Sequence, residues 1–216
     1  MTTEAKTLIG TGLVTALIIA GGAFIFARTN PSPNQAPSEL VDTERLVRSD
    51  SQFQGPSDSP VTVVEFADFQ CPACGALHPV LKQLKNDIPA AKFVFRHFPL
   101  ESIHKNARAS SLAAAAAGQQ DKFWPMHDKL FEQQGEWSDQ DNPEETFDRY
   151  AQEIGLELEK FKADLNNPDL SSRITADQND GQSLRVSGTP TIFINGARYT
   201  QSLSYNNLKS AIEARL

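Results

Sequence analysis

The sequence predicts one α/β domain in which a strand-helix-strand unit is followed by an all-helical insertion and closed by a β-hairpin and a last helix. Three observations carry this prediction. The β-branched, apolar run VTVVEFA at 61–67 leads directly into Cys71-Pro72-Ala73-Cys74. A helical period follows the cysteines, and a separate set of strand signals, TIFIN, returns at 191–195. With an apolar segment and a polar stretch at its start, a chain of 216 residues leaves room for about one ordinary domain of 150 to 200 residues.

Pro60 marks the entry of the first strand, which is apolar enough to be central and buried. After Pro72 the apolar positions Leu77, Val80, Leu81, Leu84 and Ile88 recur at three and four, placing one helix face against the sheet. Pro79 lies inside this pattern and predicts a kink. The run KFVFRHF at 92–98 supplies a second strand, whose parallel pairing with the first would make a right-handed crossover. The cysteines therefore open a helix at the carboxyl end of a strand. Helical signals dominate from about 102 to 186: the Ala-rich run at 113–117, FWPMHDKLFEQQ, the stretch after Pro143, and GLELEKFKADL. TIFIN, a turn at Gly196, a short strand through Tyr199 and a helix from about Ser204 complete the order.

The folded domain is expected over 43–216, and what precedes it reads as a tether. Beyond a tail at 1–7, residues 8–27 form an uncharged run of twenty, LIGTGLVTALIIAGGAFIFA. At about 1.5 Å per helical residue such a run spans a hydrocarbon core of about 30 Å, so it reads as a transmembrane signal anchor. The alternative is a cleaved signal peptide, since Gly21 and Ala23 supply small residues at the positions a peptidase reads. Either reading exports the chain. Lys6 before the run is nearly matched by Arg28 after it, so the short tail rather than flanking charge favours the domain outside. The expectation is a single-pass protein of the cell membrane with its domain on the extracytoplasmic side, periplasmic or extracellular. Residues 28–42, rich in Pro, Asn, Ser and Gln, cannot bury a core and read as a polar linker.

Twenty basic against 27 acidic residues give a formal charge of -7, which repels a phosphate backbone and argues against nucleic-acid binding. The chain has two cysteines, both in the CPAC motif, so no disulfide framework staples the domain. A CxxC pair could also supply half of a zinc site. No further Cys exists, however, and His78, His97, His104 and His127 make no HxxxH or HExxH pattern, so no metal is expected. A redox role needs only what is present and no cofactor. It takes a thiolate at Cys71, favoured by the unpaired N–H groups of a helix N-terminus, and a second thiol at Cys74 to resolve a mixed disulfide.

The ordered set VTVVEFADFQCPACGALHP, FRHFPL, IHKNA, FWPMHDKLF and VSGTPTIFINGARY resembles the DsbA-like branch of the thioredoxin superfamily, in its membrane-anchored version. The match runs from about Arg45 to the C-terminus. It implies a thioredoxin fold interrupted by a helical insertion, and a protein dithiol-disulfide oxidoreductase with Cys71 and Cys74 as its redox-active pair. It also implies that Pro190, in Gly188-Thr189-Pro190, is a cis-proline whose loop lies against the thiols and binds extended substrate. From the residues alone a trans bond at a strand entry is the ordinary reading. Glu65, six residues before Cys71, matches the family's buried acid, which can relay the proton of the resolving thiol. Its alternative is a surface carboxylate at a sheet edge.

His78 and His97 read as structural, and Phe123, Trp124 and Phe131 as core of the insertion. The family's strongest oxidases carry His where this chain has Ala73, so less stabilisation of the thiolate is expected here. The Cys71 pKa is expected in the upper part of the roughly 3.5–7.5 range of such motifs. The leading function is oxidation of cysteine-containing exported proteins, with reoxidation by a membrane quinone-linked thiol oxidase. A reductase or isomerase of the same fold is the first rival and a non-catalytic peptide-binding module the second. The short spacer after Ala27, in place of the dimerisation domain of isomerases, argues for a monomer.

Overall fold

The computed structural model describes residues 43–216, and the tail, anchor and linker expected at 1–7, 8–27 and 28–42 lie outside the described residues. Among the described residues no helix is long and apolar enough to cross a membrane. A short helix α1 (Thr43–Leu46) and strand β1 (Gln52–Gln54) precede the expected unit of β2 (Thr62–Ala67), α2 (Pro72–Asp87) and β3 (Lys92–His97). The insertion then provides α3 (Ala107–Gly118), α4 (Phe123–Glu132), α5 (Gln134–Trp137), α6 (Glu144–Glu153), α7 (Leu158–Leu165) and α8 (Pro168–Ser183). β4 (Thr191–Ile194), β5 (Ala197–Arg198) and α9 (Tyr205–Glu213) close the chain.

The sheet order is β1-β3-β2-β4-β5, with β2 parallel to β3 and the remaining neighbours antiparallel. β2 is central and buried because both its faces are apolar. Val63 packs with Leu77, Leu81, Leu84 and the α9 residues Leu208 and Ile212, while Val64 and Phe66 pack with Leu46, Phe98, Leu184 and Phe193 on the other face. Burying one of these Leu or Phe side chains is worth about 1.5–3 kcal/mol. α2 runs on through Pro79 as one helix, and it stops at Ile88, where the following Pro89 disfavours a further helical residue. The β4–β5 turn uses Asn195 and Gly196, both at positive φ, which is what a two-residue hairpin turn of this twist requires.

The insertion has its own core of Phe123, Met126, Leu130, Phe131, Trp137, Phe147, Tyr150 and Phe161, and this core is continuous with Cys71 and Cys74. Phe123 and Phe131 are core, as the helical spacing suggested. Trp124 instead reaches across to donate its indole N–H to the Phe53 carbonyl of β1, at 3.1 Å. α8 begins at Pro168, with Asn167 accepting the Asp169 N–H as an N-cap.

Candidate active site

Cys71 caps the N-terminus of α2 in an extended conformation, directly after the loop that leaves β2. Its position comes from a chain of backbone bonds: the Cys71 N–H donates to Asp68 O, and the Gly75 N–H donates to Cys71 O, both at 3.1 Å. Pro72 at the first helical position costs the helix nothing, because that N–H would be unpaired in any case. Pro72 and Ala73 are exposed, whereas Cys71 is 7% exposed and Cys74, one turn inward, is fully buried. The outer thiol is thus the one a macromolecule can approach.

The electrostatics divide the two thiols further. Hydrogen bonding from the Cys74 thiol, then from Thr189 and the backbone at Ala73 and Cys74, outweighs burial and holds Cys71 down at about 5. This lies below the upper part of the range expected from Ala73. The correction has a physical cause: the missing histidine donor is replaced by Cys74 itself, by Thr189 and by the helix-terminal amides. Cys74 moves the other way, far above an ordinary thiol, because of burial, its bond to Cys71 and the nearby Glu65.

Glu65 lies on the β2 face that carries α2, where it is buried rather than exposed at an edge. Burial pushes its pKa up to about 7, against the opposing pull of the Lys85 ammonium. Its Oε1 makes no hydrogen bond among the described residues. Lys85 is itself lowered by burial, and its ammonium lies 4.3 Å over the Trp124 ring. A carboxyl that titrates near neutrality and couples electrostatically to both thiols can hold or release a proton there.

The Thr189–Pro190 peptide bond is cis, as the resemblance implied. The loop crosses in front of Cys71, whose thiol donates to the Thr189 carbonyl at 3.4 Å. The Thr191 hydroxyl donates to Gly188 O to hold the loop's far end.

Sequence reasoning missed the groups that hold the thiol loop against the insertion. Gln134 Nε2 donates to the carbonyls of Phe69 and Cys71, at 2.7 and 3.0 Å. A Cβ at Gly75 would stand 2.8 Å from Gln134 Oε1, so glycine is what lets this side chain lie there. Gln70 bridges Ser138 O and the Asn106 N–H, and Asn106 in turn donates to the carbonyls of Trp137, Ser138 and Gln140. Asp68, fully buried, accepts from the N–H groups of Gln70 and Leu100 and pairs with His104 Nδ1 at 2.7 Å. The IHKNA run was visible in the sequence, but its partners were not.

His97 is packed among Phe69, Phe95 and Phe123, and burial holds its pKa at about 3. His78 lies one turn beyond Cys74 and meets His127 and Asp128 of α4, a convergence that spacing within one helix could not reveal.

Comparison with known proteins agrees with this geometry. A family model described as Thioredoxin (Thioredoxin_4) matches residues 48–214. The crystal structure of oxidised BdbD from Bacillus subtilis superposes with a TM-score of 0.68 at 27% identity, covering 76% of this chain and 92% of that one. "Probable disulfide bond formation protein D" of Bacillus anthracis is 28% identical over 207 residues, 93% of this chain and 92% of that protein. "Na(+)/H(+) antiporter NhaA 1" of Salinispora arenicola is 39% identical over 172 residues, 80% of this chain. The chain spans about a quarter of that antiporter's length, 25%. With a thiol pair opening a helix behind a cis-proline loop, and with a family model that matches residues 48–214, the chain belongs to the thioredoxin family.

Proposed function

We propose that the protein is a dithiol oxidase for cysteine-containing exported proteins, with Cys71 as the attacked sulfur and Cys74 as its partner. In the disulfide form a client thiolate attacks Cys71 Sγ, the Cys71–Cys74 bond breaks, and Cys74 leaves with the electron pair. Cys74 is buried, and as a thiolate it would be costly, so a proton supplied through Glu65 completes this step. A second client thiolate then attacks the client sulfur of the mixed disulfide and releases Cys71 as thiolate. The client loses two electrons and two protons and gains a disulfide. The protein ends as Cys71 thiolate and Cys74 thiol, with one proton passed to solvent.

Thr189 and Pro190 form the proposed rest for extended client backbone, since the Thr189 carbonyl stands beside the attacked sulfur. In the cell we place the domain, 43–216, outside the cytoplasm, held by the anchor at 8–27 through the linker at 28–42 with a short tail at 1–7. A membrane quinone-linked thiol oxidase would take the electrons, and the domain would act as a monomer.

The observation that carries this reading is the Cys71 thiolate, held at about 5. Stabilising the thiolate stabilises the reduced protein, which makes its disulfide a stronger oxidant. Alkylation of the thiols in intact cells tests it: the pair is expected mostly as disulfide, with a potential above the about -270 mV of thioredoxin. A mostly reduced pair would make the protein a reductase or isomerase instead.

A further inference from the structure

We propose that His78, His127 and Asp128 form a binding site for a borderline divalent transition-metal cation, separate from the thiol pair. One ligand atom from each of the three lies within 4.8 Å of the others. His78 Nε2 stands 3.8 Å from Asp128 Oδ1 and 3.8 Å from Glu132 Oε1, and His127 Nδ1 stands 2.9 Å from Asp128 Oδ1. Donors about 2.0–2.1 Å from a tetrahedral zinc ion lie about 3.3 Å from one another. Bringing the set into coordination therefore needs the wider separations to close by up to about 1.5 Å, which side-chain rotation on two helices can share.

An orphaned donor atom marks the site. Among the described residues His78 Nε2 is buried and makes no hydrogen bond, which is rare for an interior polar atom and points to a missing partner. The His127 ring is fixed in an aromatic box of Phe69, Phe95, Trp124 and Phe131. Asp128 divides its oxygens: Oδ1 faces the two imidazoles, while Oδ2 is held by Lys82 Nζ at 3.1 Å. Such outer partners orient ligating carboxylates. Glu132, bound to Lys82 at 2.6 Å on the exposed side, can swing to the fourth position or leave it to water. Two imidazoles with carboxylates suit zinc and its neighbours rather than calcium or magnesium, which prefer all-oxygen shells.

Zinc is the probe. The full chain carrying Cys71→Ser and Cys74→Ser, which removes the thiols as competing ligands, is titrated by calorimetry and its Tm followed with and without zinc. One equivalent should bind and raise the Tm. His78→Gln and Asp128→Asn should each weaken binding by more than roughly tenfold, since even outer-shell partners are worth about 10–100-fold. No saturable binding, or binding that survives both ligand substitutions, would overturn the site.

Discussion

On one face of the sheet Arg96 is fully buried, and every nitrogen of its guanidinium donates. Nε goes to Asp177, Nη2 to Asp180, both at 2.8 Å, and Nη1 to the carbonyls of Arg45 and Leu46. On the other face Glu65 is buried too, but one of its oxygens has no hydrogen bond, and Lys85 reaches it only through the field. The two residues sit on adjacent strands, with Glu65 opposite Phe95 and Arg96 opposite Phe66 in the β2–β3 register. A satisfied buried charge fixes its surroundings. An unsatisfied one stays near the point of changing protonation, which is what a proton relay needs.

The largest effect should come from the thiols. Cys74→Ser is expected to accumulate mixed disulfides with clients on non-reducing gels, because the attacking thiolate survives and the resolving one is lost. Cys71→Ser should trap few, and equal trapping by both would undo the division of roles. Next, Arg96→Met removes the guanidinium partner of the buried Asp177, while Asp180 keeps Arg45 and Arg48, and should cost about 3–5 kcal/mol of unfolding free energy in denaturant melts. A cost near zero would mean that the cluster is replaceable by packing alone. Gln134→Ala takes its donor from the Phe69 carbonyl and leaves Cys71 O with the Gly75 N–H alone, with an expected cost of about 1–3 kcal/mol.

Glu65→Gln should act on stability with the opposite sign. With a folded pKa raised to about 7, Glu65 keeps its proton in the folded protein while the unfolded chain, near 4.5, has released it. Wild-type stability therefore falls as pH rises from about 4.5 to about 7. The Gln variant should melt higher than wild type at pH 8, by about 2–4 °C for each kcal/mol relieved, and lose that advantage below pH 4.5. Its oxidase turnover should slow. A variant less stable than wild type at pH 8 would show that Glu65 is a structural partner of Lys85.

How much of this was legible depended on the range of the interactions. β2, α2, β3 and the closing hairpin announced themselves through apolar period and through Gly196, which are local signals. β1 did not, since Gln52–Gln54 is three residues long, part-exposed, and a strand only because β3 offers an edge. The thiol pair could be read directly, and the resemblance supplied Glu65, Thr189 and Pro190. The Cys71 pKa was misjudged from the two middle residues of the motif because most of its donors lie outside them. The Gln134–Gly75 contact and the meeting of His78 with His127 join residues about fifty or more apart, and no spacing rule reaches across separate helices.

The Arg96 cluster also says where the domain can bear a load. Arg96 grips the carbonyls of α1, and Arg45 and Arg48 each place a guanidinium nitrogen 3.6 Å from Asp180 of α8. A pull arriving along the chain from before Thr43 would be shared between β3 and α8 through these contacts. The thiols, on the opposite face of the sheet, would feel little of it. A load applied at the first described residues would then leave the reactive sulfur steady.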